Sequence, residues 1–331
     1  MKKISTILAF VFSFVVLFAS VGCSCKDKKN VIRVNEVTHS IFYAPLYVAI
    51  NNGYFEDEGI TLELTNGGGS DASMTALLSG SADIALMGPE TVVYVVNQGK
   101  QDHPVVFGQL TKKDGSFLVG RNNETNFDWS NLNGKHFIAG RKGGSPAMSL
   151  QCALENKGYN ISQDLNFDLS IAFNMTVPAF TSGVGDYVTV FEPTASELVK
   201  QGKGYIVDAV ANASGEIPFT SFCANQSYLT ENKELCEKFL KAVVKGYEFL
   251  KTASESEIVN SLKNSFPDTS DESISASVKN YVKIDAWCDS PILDEKLFGN
   301  LTNMLTRAGE LSGTVNYNDV VNTSIAKAIL K

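Results

Sequence analysis

Basic charge is in short supply in this chain. Lys and Arg number 28 against 36 Asp and Glu, and the formal net charge is −8. A nucleic-acid-binding surface usually rests on a basic excess, so that class of partner is disfavoured. Cysteine is scarce as well: six in 331 residues are too few for a disulfide-built miniprotein. Histidine is scarcer. His39, His103 and His136 are widely scattered and no Cys pair has CxxC spacing, so no metal site is proposed. Neither GxxxxGK[ST] nor a helix-opening GxGxxG occurs, which removes the commonest phosphate and dinucleotide cradles. No cofactor is implied. No internal repeat or low-complexity tract is evident.

What is present points to a folded, exported protein. Hydrophobic residues make up 44% and charged residues 19%, which excludes wholesale disorder. A chain of 331 residues outgrows one hydrophobic core, so two lobes are expected. At the start, Lys2 and Lys3 precede an apolar run from Ile7 to Ala19, broken only by Ser13. That run falls short of the roughly 20 residues that span a bilayer, and its layout is that of a secretory signal. Ala19-Ser20-Val21-Gly22-Cys23 then resembles a bacterial lipobox, where cleavage precedes a lipid-bearing Cys. Ser20 departs from that pattern, which usually has Leu, Val or Ile there; an ordinary signal peptide cleaved nearby is the alternative. Cys23 is the expected lipidation site. Removing residues 1–22 takes away Lys2 and Lys3 and no acid, so the charge moves from −8 to −10. Residues 23–30 read as a polar tether. Cys152, Cys223, Cys236 and Cys288 either pair as disulfides in an exported chain or stay as buried thiols.

Beyond the tether, strand-like and helix-like runs alternate. Strands are expected at Val31–Val37, Thr61–Thr65, Ala82–Met87, Pro104–Leu110, Ser116–Gly120, His136–Ala139, Phe167–Ala172, Asp186–Val190 and Tyr205–Ala209. Helical runs separate most of them, the signature of an α/β fold with parallel pairing. After Ile217-Pro218 the chain reads as mostly helical, with a capping box expected at Thr269-x-x-Glu272.

In open α/β sheets, ligands bind at the carboxyl ends of strands, where turns and helix starts expose amides. The candidate ligand-binding residues are therefore those of the strand-to-helix turns: Thr38, His39, Ser40, Tyr43, Gly68, Gly88, Pro89, Glu90, Gln109, Gly143, Gly144, Ser145 and Glu192. Ser145 before Pro146 suits an N-cap, and the two glycines ahead of it free their amides. His39 fits a structural hydrogen bond as well as a ligand contact. Glu90 and Glu192 suit the N–H groups of a flat heterocycle, with Phe42, Tyr43 and Phe191 as stacking surfaces. Arg141 and Lys142 suit an anion instead.

Phe42-Tyr43-Ala44-Pro45-Leu46-Tyr47-Val48-Ala49-Ile50, with Gly53-Tyr54-Phe55-Glu56-Asp57-Glu58-Gly59-Ile60, resembles a signature of the ABC-transporter solute-binding proteins of the thiamine-pyrimidine, sulfonate and nitrate type. Ala76-Leu77-Leu78-Ser79-Gly80-Ser81-Ala82-Asp83-Ile84-Ala85 resembles its companion motif, and Asn131-Leu132-Asn133-Gly134-Lys135 the lead-in to a second lobe. The resemblance spans about residues 31–250. It implies a periplasmic-binding-protein type II fold, two lobes around a hinged cleft, with residues 31–111 and 218–331 in one and 112–217 in the other. It also implies a small-molecule ligand, an ABC permease and its ATPase as partners, and no chemistry on the ligand. A pyrimidine-precursor heterocycle is the favoured ligand and a sulfonate or nitrate the alternative. A pyrimidine-precursor synthase is the rival of a different class. Those synthases carry a CCCFC motif, of which Ser221-Phe222-Cys223 is the nearest fragment here. The expected location is the outer face of the cell membrane, held by lipid alone.

Overall fold

A computed structural model describes residues 30–331. The expected export signal, Cys23 and all of the tether but Asn30 lie outside the described residues.

Two five-stranded sheets organise the chain, one in each of two lobes. The first sheet holds β1 (Asn30–Glu36), β2 (Ile60–Asn66), β3 (Ile84–Met87), β4 (Pro104–Lys113) and β10 (Glu216–Asn225), in the order β2-β1-β3-β10-β4. The second holds β5 (Phe117–Gly120), β6 (His136–Ile138), β7 (Asn166–Asp168), β8 (Tyr187–Val190) and β9 (Tyr205–Ala209), in the order β7-β6-β8-β5-β9. β1 runs parallel to β2 and β3, and β6 parallel to β7 and β8, with helices as the crossovers such pairing needs.

The sheets are not wholly parallel, however. β10 runs antiparallel to β3 and β4, and β5 antiparallel to β8 and β9. These two strands begin where the chain changes lobe. Asp114, Gly115 and Ser116 alone separate β4 from β5, too few for a crossover helix. β10 is also a strand that the sequence pattern conceals. It is buried on both faces, so its residues do not alternate, and Pro218 within it reads as a breaker. Pro218 is tolerated because the β4–β10 ladder is irregular between Glu216 and Thr220, where no ladder N–H is required of it.

Helix starts also differ in detail from expectation. The helix Asp271–Lys283 is capped by Ser270, whose side chain accepts from the Ser273 amide; Thr269 and Glu272 form no box. The capping box lies at the preceding helix, Glu255–Leu262, between Ser254 and Glu257. The 20-residue helix Lys233–Thr252 lays its apolar face against Ala44–Asn51, where Gly246 leaves room for the Pro45 carbonyl. The four described cysteines are free, buried thiols. Burial pushes Cys152 up to about 11 and Cys236 up to about 12, away from reactivity. No helix among the described residues is long and apolar enough to cross a membrane.

Candidate functional site

Between the lobes lies a cavity of about 520 Å³, counting its open mouth. The first lobe contributes Val37 and Thr38 after β1, Tyr43, Gly69 and Ser70 at the start of the helix Ser70–Leu78, and Gly88 and Glu90 after β3. The second lobe contributes the segment after β6, including Gly140, Arg141, Gly144 and Ser145, together with Phe173 and Phe191. Phe219 and Thr220 on β10 close the back. Strand ends and helix starts thus converge here from both sheets.

Glu90 is the chemical centre. It is completely buried, and neither carboxylate oxygen meets a hydrogen-bond partner among the described residues. The carboxylate folds back over Gly88, in space that a Cβ there would occupy. Burial pushes its pKa up; the nearby Ser145 side chain and the more distant Arg141 charge oppose this only in part. Ser145, from the other lobe, likewise has a buried hydroxyl without a partner. It is the first helical residue rather than the cap: Gly144 takes the extended N-cap conformation, and Ser145 makes no capping bond. Beside this polar pair stand Tyr43, Phe173, Phe191 and Phe219. Desolvation pushes the Tyr43 phenol well up, so it stays neutral. Arg141 is partly engaged, its Nε 3.4 Å from Asp71 of the first lobe.

Eight of the sequence-predicted residues line this cavity together: Thr38, Tyr43, Gly88, Glu90, Arg141, Gly144, Ser145 and Phe191. His39, Ser40 and Glu192 line an adjoining chamber. His39 bridges Glu36, at 2.9 Å, and the Ser265 carbonyl, at 2.7 Å, and its contact with the Glu36 carboxylate raises its pKa. The Ser40 hydroxyl accepts from the Phe42 amide and donates to the Glu192 carbonyl.

The remaining predictions have local explanations. Gly68 and Gly143 adopt φ +74° and +72°, conformations that glycine alone takes freely. The Gly143 carbonyl accepts from Tyr94 across the lobes, at 2.9 Å. Pro89 only precedes the helix Glu90–Asn97. Gln109 is buried and turned away, its amide donating to the Thr111 carbonyl at 3.1 Å. Phe42 is wholly buried against Tyr281 and Phe191. Lys142 points to solvent near Glu310.

Sequence reasoning missed Phe173, Phe219 and Thr220. The last two lie on the concealed strand β10, just after Pro218. No cluster of three or more His, Cys, Asp or Glu is placed to hold a metal among the described residues.

A family model described as NMT1/THI5 like matches residues 41–256. A Bacillus subtilis (strain 168) protein, provisionally named as binding protein YtlA, is 40% identical over 97% of this chain and 96% of its own. Among solved structures, the ligand-binding component of an ABC-type import system from Staphylococcus aureus, with zinc bound, superposes with TM-score 0.70 at 15% identity, covering 90% of this chain and 98% of the other. The alkanesulfonate-binding protein SsuA from Xanthomonas axonopodis pv. citri, bound to MOPS, gives TM-score 0.70 at 14% identity over 89% and 99%. The two sheets and their connections are thus those of the two-lobed periplasmic-binding fold.

Proposed function

This chain belongs to the NMT1/THI5-like family, and on that premise we propose that it is the solute-binding component of an ABC importer. It captures a small flat heterocycle, best a thiamine-pyrimidine precursor, between lobes of residues 31–111 with 218–331 and residues 112–217. One observation carries the choice of ligand: Glu90, fully buried and without a partner, faces a cavity walled by aromatic rings. An unpaired buried carboxyl is costly, and an amino-heterocycle supplies the N–H donors that relieve it while its ring packs on Tyr43 and the phenylalanines. An inorganic anion brings none of that relief.

Closure follows from the geometry. A ligand touching Glu90 and Ser145 contacts both lobes at once, so it favours the closed arrangement. That form then docks on a membrane permease, whose ATPase supplies the work. Cys23, acylated, holds the protein at the outer face of the membrane; Cys23→Ser is expected to abolish incorporation of labelled fatty acid. No chemical step on the ligand is proposed.

A second reading is an alkanesulfonate-type anion, favoured by Arg141 in the cavity wall and by the likeness to the alkanesulfonate-binding protein of Xanthomonas. Thermal unfolding separates the two. Aminopyrimidines are expected to raise the melting temperature, and alkanesulfonates and nitrate to leave it unchanged. The reverse pattern overturns the heterocycle reading.

A further inference from the structure

Asp114, Gly115 and Ser116 carry the chain from the first lobe to the second, between β4 and β5. Asp114 is wholly buried there. One of its carboxylate oxygens accepts from the Ser116 amide at 2.7 Å, and the other meets no partner among the described residues. The buried hydroxyls of Ser116 and Ser149 likewise lack a partner among those residues. Both stand near the Asp114 carboxyl and offset its burial only in part. Idle polar atoms gathered in a dry place cost stability that apolar side chains would not.

Ser149 ties this spot to the cleft. It lies one turn beyond Ser145 in the helix Ser145–Asn156, so the two share a face. Ser145 lines the interlobe cavity, and Ser149 stands by Asp114. Gly115 lies so close to the Phe42 ring of the first lobe that a Cβ has no room. Groups that move with different lobes therefore enclose the Asp114 carboxyl, and parting the lobes opens it to water. No charged side chain among the described residues compensates it. On β4, Lys112 and Lys113 turn to Asp285 and Asp289. β5 carries no titratable group. On β10, Glu216 pairs with Lys296 at 3.9 Å, and burial keeps Cys223 a thiol. On β9, Asp208 accepts from Trp129 and Asn212. Along the helix of Ser149, Glu155 pairs with Arg307, and burial keeps Cys152 a thiol. Tyr43, beside Phe42, stays neutral, and Glu90 stands by Ser145.

We propose that Asp114 is a positioning residue for the cleft: uncharged, it lets the helix of Ser149 close on the hinge segment and bring Ser145 to the ligand, and closure takes up from solvent the proton that a hydrated Asp114 releases. This rests on the two-lobe capture reading above and not on the choice of ligand. Burial holds the pKa of the enclosed carboxyl at about 7, against the ordinary 3.8 of a hydrated one. Closure is then most favoured below about pH 4, weakens between about pH 4 and 7, and is level above.

Two measurements on the purified protein decide it. Calorimetry with 4-aminopyrimidine at about pH 5 and about pH 8 compares the unsubstituted protein with Asp114→Asn, which stays uncharged throughout. Glu90 and the probe titrate alike in both proteins, so the ratio of their dissociation constants isolates Asp114. From the lower pH to the higher, that ratio is expected to move about tenfold in the variant's favour. A ratio that stays constant marks a merely structural residue and overturns the inference. Ser149→Ala keeps the acid and removes a hydroxyl that favours its ionised form. It should weaken binding about threefold more at the higher pH than at the lower, and an equal loss at both overturns the inference. Small-angle X-ray scattering needs no ligand. The ligand-free protein is expected to have a larger radius of gyration at about pH 8 than at about pH 5, and Asp114→Asn the same radius at both. An unchanged radius in the unsubstituted protein, or an equal change in the variant, overturns the inference. If 4-aminopyrimidine binds at neither pH while the radius responds through Asp114, the heterocycle reading falls and the proton linkage of the hinge stands.

Discussion

Arg141 of one lobe and Asp71 of the other stand 3.4 Å apart beside the interlobe cavity. The Asp71 side chain is 66% exposed, so this pair is screened and contributes little. The neighbouring contact, Tyr94 hydroxyl to Gly143 carbonyl at 2.9 Å, is neutral and partly buried. Of these two interlobe contacts, the Tyr94 hydrogen bond therefore contributes more than the ion pair. Tyr94→Phe is expected to raise the ligand dissociation rate by about three- to tenfold, and Asp71→Asn by less than about threefold, in stopped-flow measurements.

Glu90→Gln should separate stability from affinity. Replacing a buried acid that has no partner with its neutral isostere removes a desolvation cost, so the ligand-free protein is expected to melt at a higher temperature. The same change removes a carboxyl that receives ligand N–H groups, and aminopyrimidine affinity should fall on the order of a hundredfold. A variant that gains stability and keeps full affinity would show that Glu90 is not the anchor.

Asp114, between β4 and β5, gives stability a pH dependence. Its side chain is buried with Ser116 and Ser149; one carboxylate oxygen accepts from the Ser116 amide at 2.7 Å and the other lacks a partner. Burial lifts its pKa from the ordinary 3.8 to about 7. The native state then holds the proton more tightly than the unfolded chain. On this group's account stability is greatest below about pH 4, falls between about pH 4 and 7, and is level above, with a total loss of up to about 4 kcal/mol. Asp114→Asn should flatten that decline in urea melts and leave the mutant the more stable protein at pH 8.

Gly246 sets how closely two helices approach. A methyl group there would overlap the Pro45 carbonyl oxygen, and backbone cannot swing aside as a side chain can. Gly246→Ala is expected to destabilise the protein by about 1–3 kcal/mol in denaturant titrations. Ligand affinity of the folded fraction should not change, since the contact lies away from the cleft.

Much of the architecture was legible along the chain. The alternation of β-rich runs with helices, the glycine-punctuated turns and the motif around Phe42–Ile60 follow from local propensity and periodicity. So does the nomination of Glu90, an acid at a strand-to-helix turn. Other features depend on residues far apart in sequence. Pro218 hides β10 until the register of β4 shows that its missing N–H falls at an irregularity. Gly143 is chosen as much by Tyr94 as by its own turn. Glu192 resembles Glu90 in sequence, an acid beside a proline at the end of a strand, yet the two meet different fates. Ser196 and Asn280 hydrogen-bond Glu192, while neither Glu90 carboxylate oxygen meets a hydrogen-bond partner among the described residues. Local sequence determines which polar groups stand at the turns. Only the packing of one lobe on the other decides which of them are left in need of a ligand, because a hydrogen bond depends on the partner that folding brings to it.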